Sequence, residues 1–139
     1  MTYATQQNMI DRFGSQELIE LTNRSNTGAI DATVLGQALA DANNEVDSYL
    51  SSVCTLPLIS VPPRLMKLAC DIANYDLYGV KAPDQVRQRY TDAISFLKLL
   101  AAGTVSLGLD PVNQPLTEIG GVGMTAKTPV FNATTLSDY

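Results

Sequence analysis

Hydrophobic residues recur every three or four positions through most of the first hundred residues, the spacing of one face of an α-helix. The clearest example starts after Asp31, a predicted N-cap, and continues to about Cys54. Its apolar positions are Leu35, Leu39, Ala42, Val46, Tyr49 with Leu50, and Val53. The polar residues predicted to lie largely outside this stripe are Asp41, Asn43, Asn44, Asp47, Ser48 and Ser51. The pattern predicts one long amphipathic helix.

Two shorter helices are predicted before it. Thr5 is an expected N-cap for a helix that ends at Phe13, but Asn8 stands where a Glu or Gln would complete a capping box. Gly14 is expected to end this helix, and Ser15 to cap the second one. The polar stretch 23–28 then predicts a loop before the long helix.

Prolines predict where two later helices begin. Residues 55–62 form an apolar connector whose prolines cannot continue a helix. Pro63 suits the first position of a helix that ends at Tyr78, with Gly79 just beyond it. Pro83 is expected to open the last helix in the same way, and Gly103 to end it.

The helical pattern stops after Gly103. Val105, Leu107 and Leu109 alternate with small or polar residues, which predicts a short extended segment packed back on the helices. The remaining residues are rich in glycine, proline and threonine and lack helical periodicity. We therefore predict an all-α fold, a small bundle of four to five helices over residues 1–109, followed by an extended C-terminal arm over 110–139.

Three interpretations of the C-terminal arm stay open: disorder, packing on its own domain, and binding to a partner. Its GGVGM stretch is not a phosphate-binding loop, because it neither follows a clear strand nor opens a helix. Large apolar residues near the end favour the third interpretation, in which an extended chain docks on a neighbouring protein. The expected anchors are Val130, Phe131, Leu136 and Tyr139.

The chemistry available to the chain argues against an enzyme. The sequence has no histidine, so the commonest general base is missing, and Ser60 and Ser106 have no base to activate them. Cys54 and Cys70 lie inside apolar patterns and are expected to be buried; a disulfide between them is the alternative, and two lone cysteines cannot hold zinc. The carboxylates are expected on solvated faces and at helix ends. We expect no cofactor and no metal.

Charge is distributed unevenly along a chain of net charge −5. Residues 1–60 carry two bases and seven acids, whereas residues 61–103 carry six bases and four acids. The net negative charge argues against nucleic-acid binding, and the absence of a long apolar run argues against a membrane span. The asymmetry leaves room for an acidic surface of one copy to meet a basic surface of the next, and plain solvated faces are the alternative. The candidate residues are Asp41, Glu45 and Asp47 on one surface and Arg87, Arg89 and Lys98 on the other.

Four long blocks resemble the Mu-type phage and prophage proteins grouped as small head–tail connectors. They are YATQQNMIDRFGSQELIELTNR, IDATVLGQALADANNEVDSYLSSVCTLPL, VPPRLMKLACDIANYDLYG and RYTDAISFLKLLAAGTVSLGL. The resemblance covers residues 3 to 109 almost without a gap. The ending VFNATTLSDY is also similar to the usual finish of that family, with a Phe a few residues before a Leu and a terminal aromatic residue.

The resemblance implies a structural protein of the virion. Such connectors are similar to helical adaptors that form a ring, usually dodecameric, on the portal, extend the DNA channel and receive a neck or tail-completion protein. Their C-terminal segment engages the portal or a neighbouring subunit. The implied location is the head–tail neck, and the host cytoplasm during assembly. The alternative from another class is a small helical regulatory or scaffolding module that binds one protein.

Overall fold

Five α-helices form the part of the chain that the structure, a computed structural model, describes, which is residues 1–108. They are α1 (Gln6–Phe13), α2 (Ser15–Thr22), α3 (Ala32–Leu50), α4 (Pro63–Tyr78) and α5 (Asp84–Ala101). A short 3₁₀-helix, Gly79–Lys81, joins α4 to α5, and residues 1–108 contain no strand. The predicted all-α class and number of helices are confirmed.

The ends of the first two helices differ from the sequence expectation. Asn8 does complete a capping box: its side-chain oxygen accepts from the Thr5 backbone N–H at 2.9 Å, while the Thr5 hydroxyl accepts from the Asn8 N–H at 3.3 Å. A carboxamide one methylene shorter than that of Gln therefore still reaches back. The prediction that Ser15 caps α2 was wrong, because Gly14 occupies the N-cap position, with a φ of 86°, and makes no side-chain bond.

Helix α3 begins where predicted and ends earlier. The Asp31 side chain accepts from the backbone N–H groups of Thr33 and Val34, so it is the N-cap. The helix ends at Leu50, and the chain turns through residues 51–54 before Cys54 is buried. The predicted stripe is buried at five positions, Leu35, Leu39, Ala42, Val46 and Leu50. Asn43, expected outside the stripe, is also buried.

Helix α4 lies at the centre of the bundle, because it packs against each of the other four helices. Nine of its sixteen residues are buried. Pro63 stands at its first position, as predicted, and Gly79 follows its end with a φ of 61°. The longer helices α3, α4 and α5 pack on one another, and the α1–α2 pair covers α3 and α4.

The segments between helices are tied to the core by polar contacts. The buried Thr22 hydroxyl donates to the Leu18 carbonyl at 2.7 Å and accepts from the Asp31 N–H at 3.0 Å, joining the end of α2 to the start of α3. After α5, Val105 and Leu107 pack against the core as predicted, while Leu109 and the whole predicted arm lie outside the described residues. No helix within residues 1–108 is long and apolar enough to cross a membrane.

Candidate functional site

The described residues offer no obvious centre for catalysis. Within residues 1–108, no group of three or more Cys, Asp or Glu side chains is placed to hold a metal ion. Both cysteines are free thiols and buried, as predicted, and burial raises the pKa of the Cys70 thiol to about 11. A thiol with a raised pKa is a weak nucleophile because little thiolate is present near neutral pH. The features that stand out are instead two charged surfaces.

The acidic surface consists of Asp41 and Glu45, one turn apart on α3, together with Asp76 on α4. Asp41 and Asp76 line a surface hollow of about 320 Å³ beside Arg24. Although Asp76 is exposed, the surrounding protein desolvates it in part, and this desolvation, followed by the Glu45 and Asp41 charges, raises the pKa of Asp76 to about 6. The surface therefore concentrates negative charge, and Arg24, the base that lines the hollow, offsets it only in part.

A stacked pair of tyrosines lies next to the acidic surface and is hydrogen-bonded to it. The rings of Tyr75 on α4 and Tyr90 on α5 stack with centroids 4.2 Å apart. The Tyr90 hydroxyl donates to the Glu45 carboxylate at 3.5 Å, and desolvation together with the Glu45 charge raises the pKa of this phenol. The stacked rings fix α4 against α5 and so hold Glu45 near Asp76.

The basic hollow is formed by Arg12 from α1, Lys67 from α4 and Arg89 from α5. Its volume is about 270 Å³, and Phe13 and Asp71 complete its lining. Asp71 is only 5% exposed and accepts from the Lys67 ammonium group at 2.8 Å. One buried carboxylate thus stands among three cations. The hollow keeps an excess of positive charge.

Asp71 corrects the expectation that the carboxylates lie on solvated faces and at helix ends, because it is buried in the middle of α4. It belongs to a polar row on α4, at positions 67, 71, 74 and 78, that share one side of the helix. Further along this row Asn74 is 1% exposed, and its side-chain oxygen has no hydrogen-bond partner among residues 1–108. Tyr78 ends the row and donates to Glu17 of α2 at 3.0 Å. One side of the central helix is therefore largely polar.

The structure separates the acidic residues that the sequence proposed for subunit contacts. Asp41 and Glu45 share the acidic surface, whereas Asp47 lies on another side of α3. Asp47 accepts from the Tyr3 hydroxyl in a short hydrogen bond, and from the Met1 amino group at 2.6 Å. Its carboxylate is therefore engaged within the same chain.

The proposed bases are separated as well. Arg89 lines the basic hollow, but Arg87 bonds Asp84 at 3.1 Å and donates to the Ala82 carbonyl at 2.9 Å. Arg87 and Lys98 are eleven residues apart, so helical spacing places them on one side of α5, away from Arg89. Asp84 and Arg87 thus form an ion pair within α5, while Asp92 accepts from Gln88 at 2.8 Å.

Three further charged residues, Asp76, Arg12 and Lys67, were not predicted from the sequence, and the fold places them beside the candidates. The positions of Asp76 and Lys67 could have been inferred from their spacing on α4. They are nine residues apart, which corresponds to about 900° of rotation and places the two charges on opposite sides of the helix. Arg12 has no such signal, since only the packing of α1 on α4 brings it near. The arm candidates Val130, Phe131, Leu136 and Tyr139 lie outside the described residues.

Comparison with known proteins places the chain among bacteriophage proteins. A family model described as "Bacteriophage Mu, Gp36" matches residues 3–126, which is most of the chain. The chain belongs to this Mu Gp36 family. The resemblance found in its sequence blocks is therefore confirmed at the level of a Mu-type phage protein family.

Two relatives show how far the similarity extends. The "Mu-like prophage FluMu protein gp36" of Haemophilus influenzae is 34% identical over 137 residues, which cover 99% of this chain and 97% of that protein. "Gene product J" of Escherichia phage Mu is 32% identical over 111 residues, or 79% of each chain. The first relative matches this chain over nearly its whole length.

Proposed function

We propose that this protein is a structural component of the virion, a head-to-tail connector that assembles as a ring on the portal. The observation that carries the proposal is membership of the Mu Gp36 family over residues 3–126, together with an all-helical fold of residues 1–108. A ring of this kind, a dodecamer in the proposed virion, extends the DNA channel and presents a platform to the neck or tail-completion protein.

The charge of the chain fits a conduit for DNA. With a net charge of −5, the chain does not attract a phosphate backbone over its surface as a whole. DNA would pass through such a ring without specific binding, which ejection of the genome requires. In this proposal the protein has no catalytic role, and it occupies the neck of the particle after assembly in the host cytoplasm.

The C-terminal arm is the proposed contact with the portal or a neighbouring subunit. Val130, Phe131, Leu136 and Tyr139 are its proposed anchors, because large apolar side chains on an extended segment fill pockets of a receiving surface. The helices of residues 1–108 would form the wall of the ring, and the arm would fasten it.

The test is to mix the full-length protein with the portal protein of the same phage and to examine the complex by electron microscopy. We expect an added ring of density on one end of the portal. A portal that keeps its own outline in a molar excess of this protein would overturn the proposal. A one-to-one complex with another protein and no affinity for the portal would point to a regulatory or scaffolding module.

A further inference from the structure

The two charged surfaces lie on opposite sides of the central helix. Asp76 follows Lys67 by nine residues and Asp71 by five, so at about 100° per residue it is rotated by about 180° and 140° from them. The acidic surface and the basic hollow therefore face away from each other across α4. Within one copy they cannot meet.

Their compositions complement each other. The acidic surface carries three carboxylates, two of them exposed, beside a hollow of about 320 Å³. The basic hollow carries three cations from three different helices, and the Asp71 carboxylate at its wall is occupied by Lys67. A surface on which three acids outnumber the one base, Arg24, and a recess with surplus cations are suited to each other in charge.

We propose that the acidic surface of one copy, Asp41, Glu45 and Asp76, docks on the basic hollow of the next copy, Arg12, Lys67 and Arg89. This inference rests on the proposed function, for which it names the contact between neighbouring subunits. Because the two surfaces differ and lie on opposite sides, the contact is head-to-tail. Repeated head-to-tail contacts close into a ring when the rotation between copies permits it, and otherwise give an open chain.

A second copy fits the basic hollow better than DNA does. Nucleic-acid affinity comes from neutralising many phosphates along a backbone, whereas three cations in one recess of an acidic protein reach few of them. The acidic surface offers a compact group of carboxylates held in place by helices. Arg89 and Arg12 are also suited to it, since guanidinium groups bind carboxylates in a bidentate geometry.

The test uses paired charge reversals in the full chain without any portal. The acid-reversed variant is Asp41→Lys with Asp76→Lys, and the base-reversed variant is Arg12→Glu with Arg89→Glu. Sedimentation equilibrium at low salt over a range of protein concentrations measures self-association. We expect each variant alone to associate at least roughly tenfold more weakly than the wild type. An equimolar mixture of the two should recover association, because each reversed surface then meets a reversed partner.

Matched controls separate this contact from general charge effects. Asp92→Lys and Lys98→Glu change exposed charges of α5 outside both surfaces and should leave association unchanged. Circular dichroism establishes that each variant folds, and the neutral pair Asp41→Asn with Asp76→Asn replaces the acid-reversed variant if that one unfolds. Raising the salt concentration should weaken wild-type association, since the contact is electrostatic.

Several outcomes would overturn the inference. They are a wild type that stays monomeric at high concentration and low salt, reversed variants that associate like the wild type, and a mixture that recovers nothing. Retardation of a short DNA duplex by the wild type, lost on Arg12→Glu with Arg89→Glu, would assign the hollow to phosphates instead. A wild type that associates through these surfaces yet never binds the portal would support the contact and overturn the connector role.

Discussion

At the scale of single residues, the informative positions are buried polar groups. A buried polar group without a partner costs free energy, so most of them identify a contact that the fold depends on. Asn43 is such a group: its side-chain oxygen accepts from the Tyr3 N–H at 3.0 Å and from the Ala4 N–H at 3.3 Å. One carboxamide thus holds the segment before α1 on the surface of α3.

We expect Asn43→Ala to destabilise the protein by about 1–3 kcal/mol, because it leaves two buried N–H groups without an acceptor. The matched control is Asn44→Ala, since Asn44 is the next residue of the same helix and is exposed. Urea unfolding followed by circular dichroism measures both. Equal losses of unfolding free energy in the two variants would show that Asn43 does not hold the N-terminal segment.

Asp76 predicts a pH dependence of stability. Its pKa is about 6 in the folded protein against an ordinary value of 3.8, so the folded state binds this proton more tightly than the unfolded state does. The stabilising contribution of the protonated form is complete below about pH 3.8 and is lost as the pH rises through about 6. The variant Asp76→Asn carries no such proton.

The expected result is that Asp76→Asn becomes more stable relative to the wild type as the pH rises from about 4 to about 6.5. Urea unfolding of dilute protein at a series of pH values gives the difference. Asp92→Asn is the control, since Asp92 is exposed and bonds Gln88 rather than lying in the acidic surface. A difference between Asp76→Asn and the wild type that falls with pH would contradict the raised pKa of Asp76, which desolvation and then the Glu45 and Asp41 charges produce.

At the scale of elements, the start of α3 combines two kinds of support. The Asp31 carboxylate accepts from Thr33 at 2.9 Å and from Val34 at 3.3 Å, and its charge lies at the positive end of the helix. The Asp31 backbone N–H is held by Thr22 of the preceding helix. Since α3 carries Asp41 and Glu45, the position of the acidic surface depends on this helix.

We expect Asp31→Ala to cost about 1 kcal/mol of unfolding free energy through loss of the cap. Asp31→Asn should retain most of the stability, because Asn is an equally good N-cap. Thermal unfolding followed by far-ultraviolet circular dichroism compares the two. If both substitutions lower the melting temperature equally, the negative charge of Asp31, and not its cap hydrogen bonds, is what stabilises α3.

At the scale of the whole molecule, the proposed function assigns stability to the core and assembly to the proposed arm. The hydrophobic cluster of residues 1–108 draws on all five helices and on the segments beside them. In the proposed function, the apolar residues of the arm bind a partner. Stability and assembly are therefore expected to respond differently to truncation.

Deletion of residues 120–139 is expected to leave the melting temperature of the helical core close to that of the full chain and to abolish its recruitment to the portal. Calorimetry measures the first quantity, and electron microscopy of the portal mixture measures the second. The full-length protein with Lys127→Ala is the control, because it removes the one base of the deleted segment while keeping the apolar anchors. A collapse of the melting temperature would make the segment part of the fold.

Much of the fold follows from local signals in the sequence. Period-3.6 hydrophobicity predicted the helices, Asp31 and Pro63 marked where two of them begin, and Gly79 marked where one ends, because caps, fixed φ angles and positive φ are properties of single residues. The errors were local as well. Asn8 completes a capping box despite its shorter side chain, and Gly14 replaces Ser15 as a cap.

The sequence by itself determined the helical class, the buried cysteines and the uneven distribution of charge, since each depends on residue type and spacing along one chain. Only the tertiary structure decided which charges are neighbours. Packing of α1 and α5 on α4 brings Arg12 and Arg89 to Lys67, and packing of α3 on α4 brings Asp41 to Asp76. Asp47 instead bonds Tyr3, from 44 residues away. Electrostatic interaction depends on distance through space, and residues far apart in sequence acquire that distance only when the helices pack.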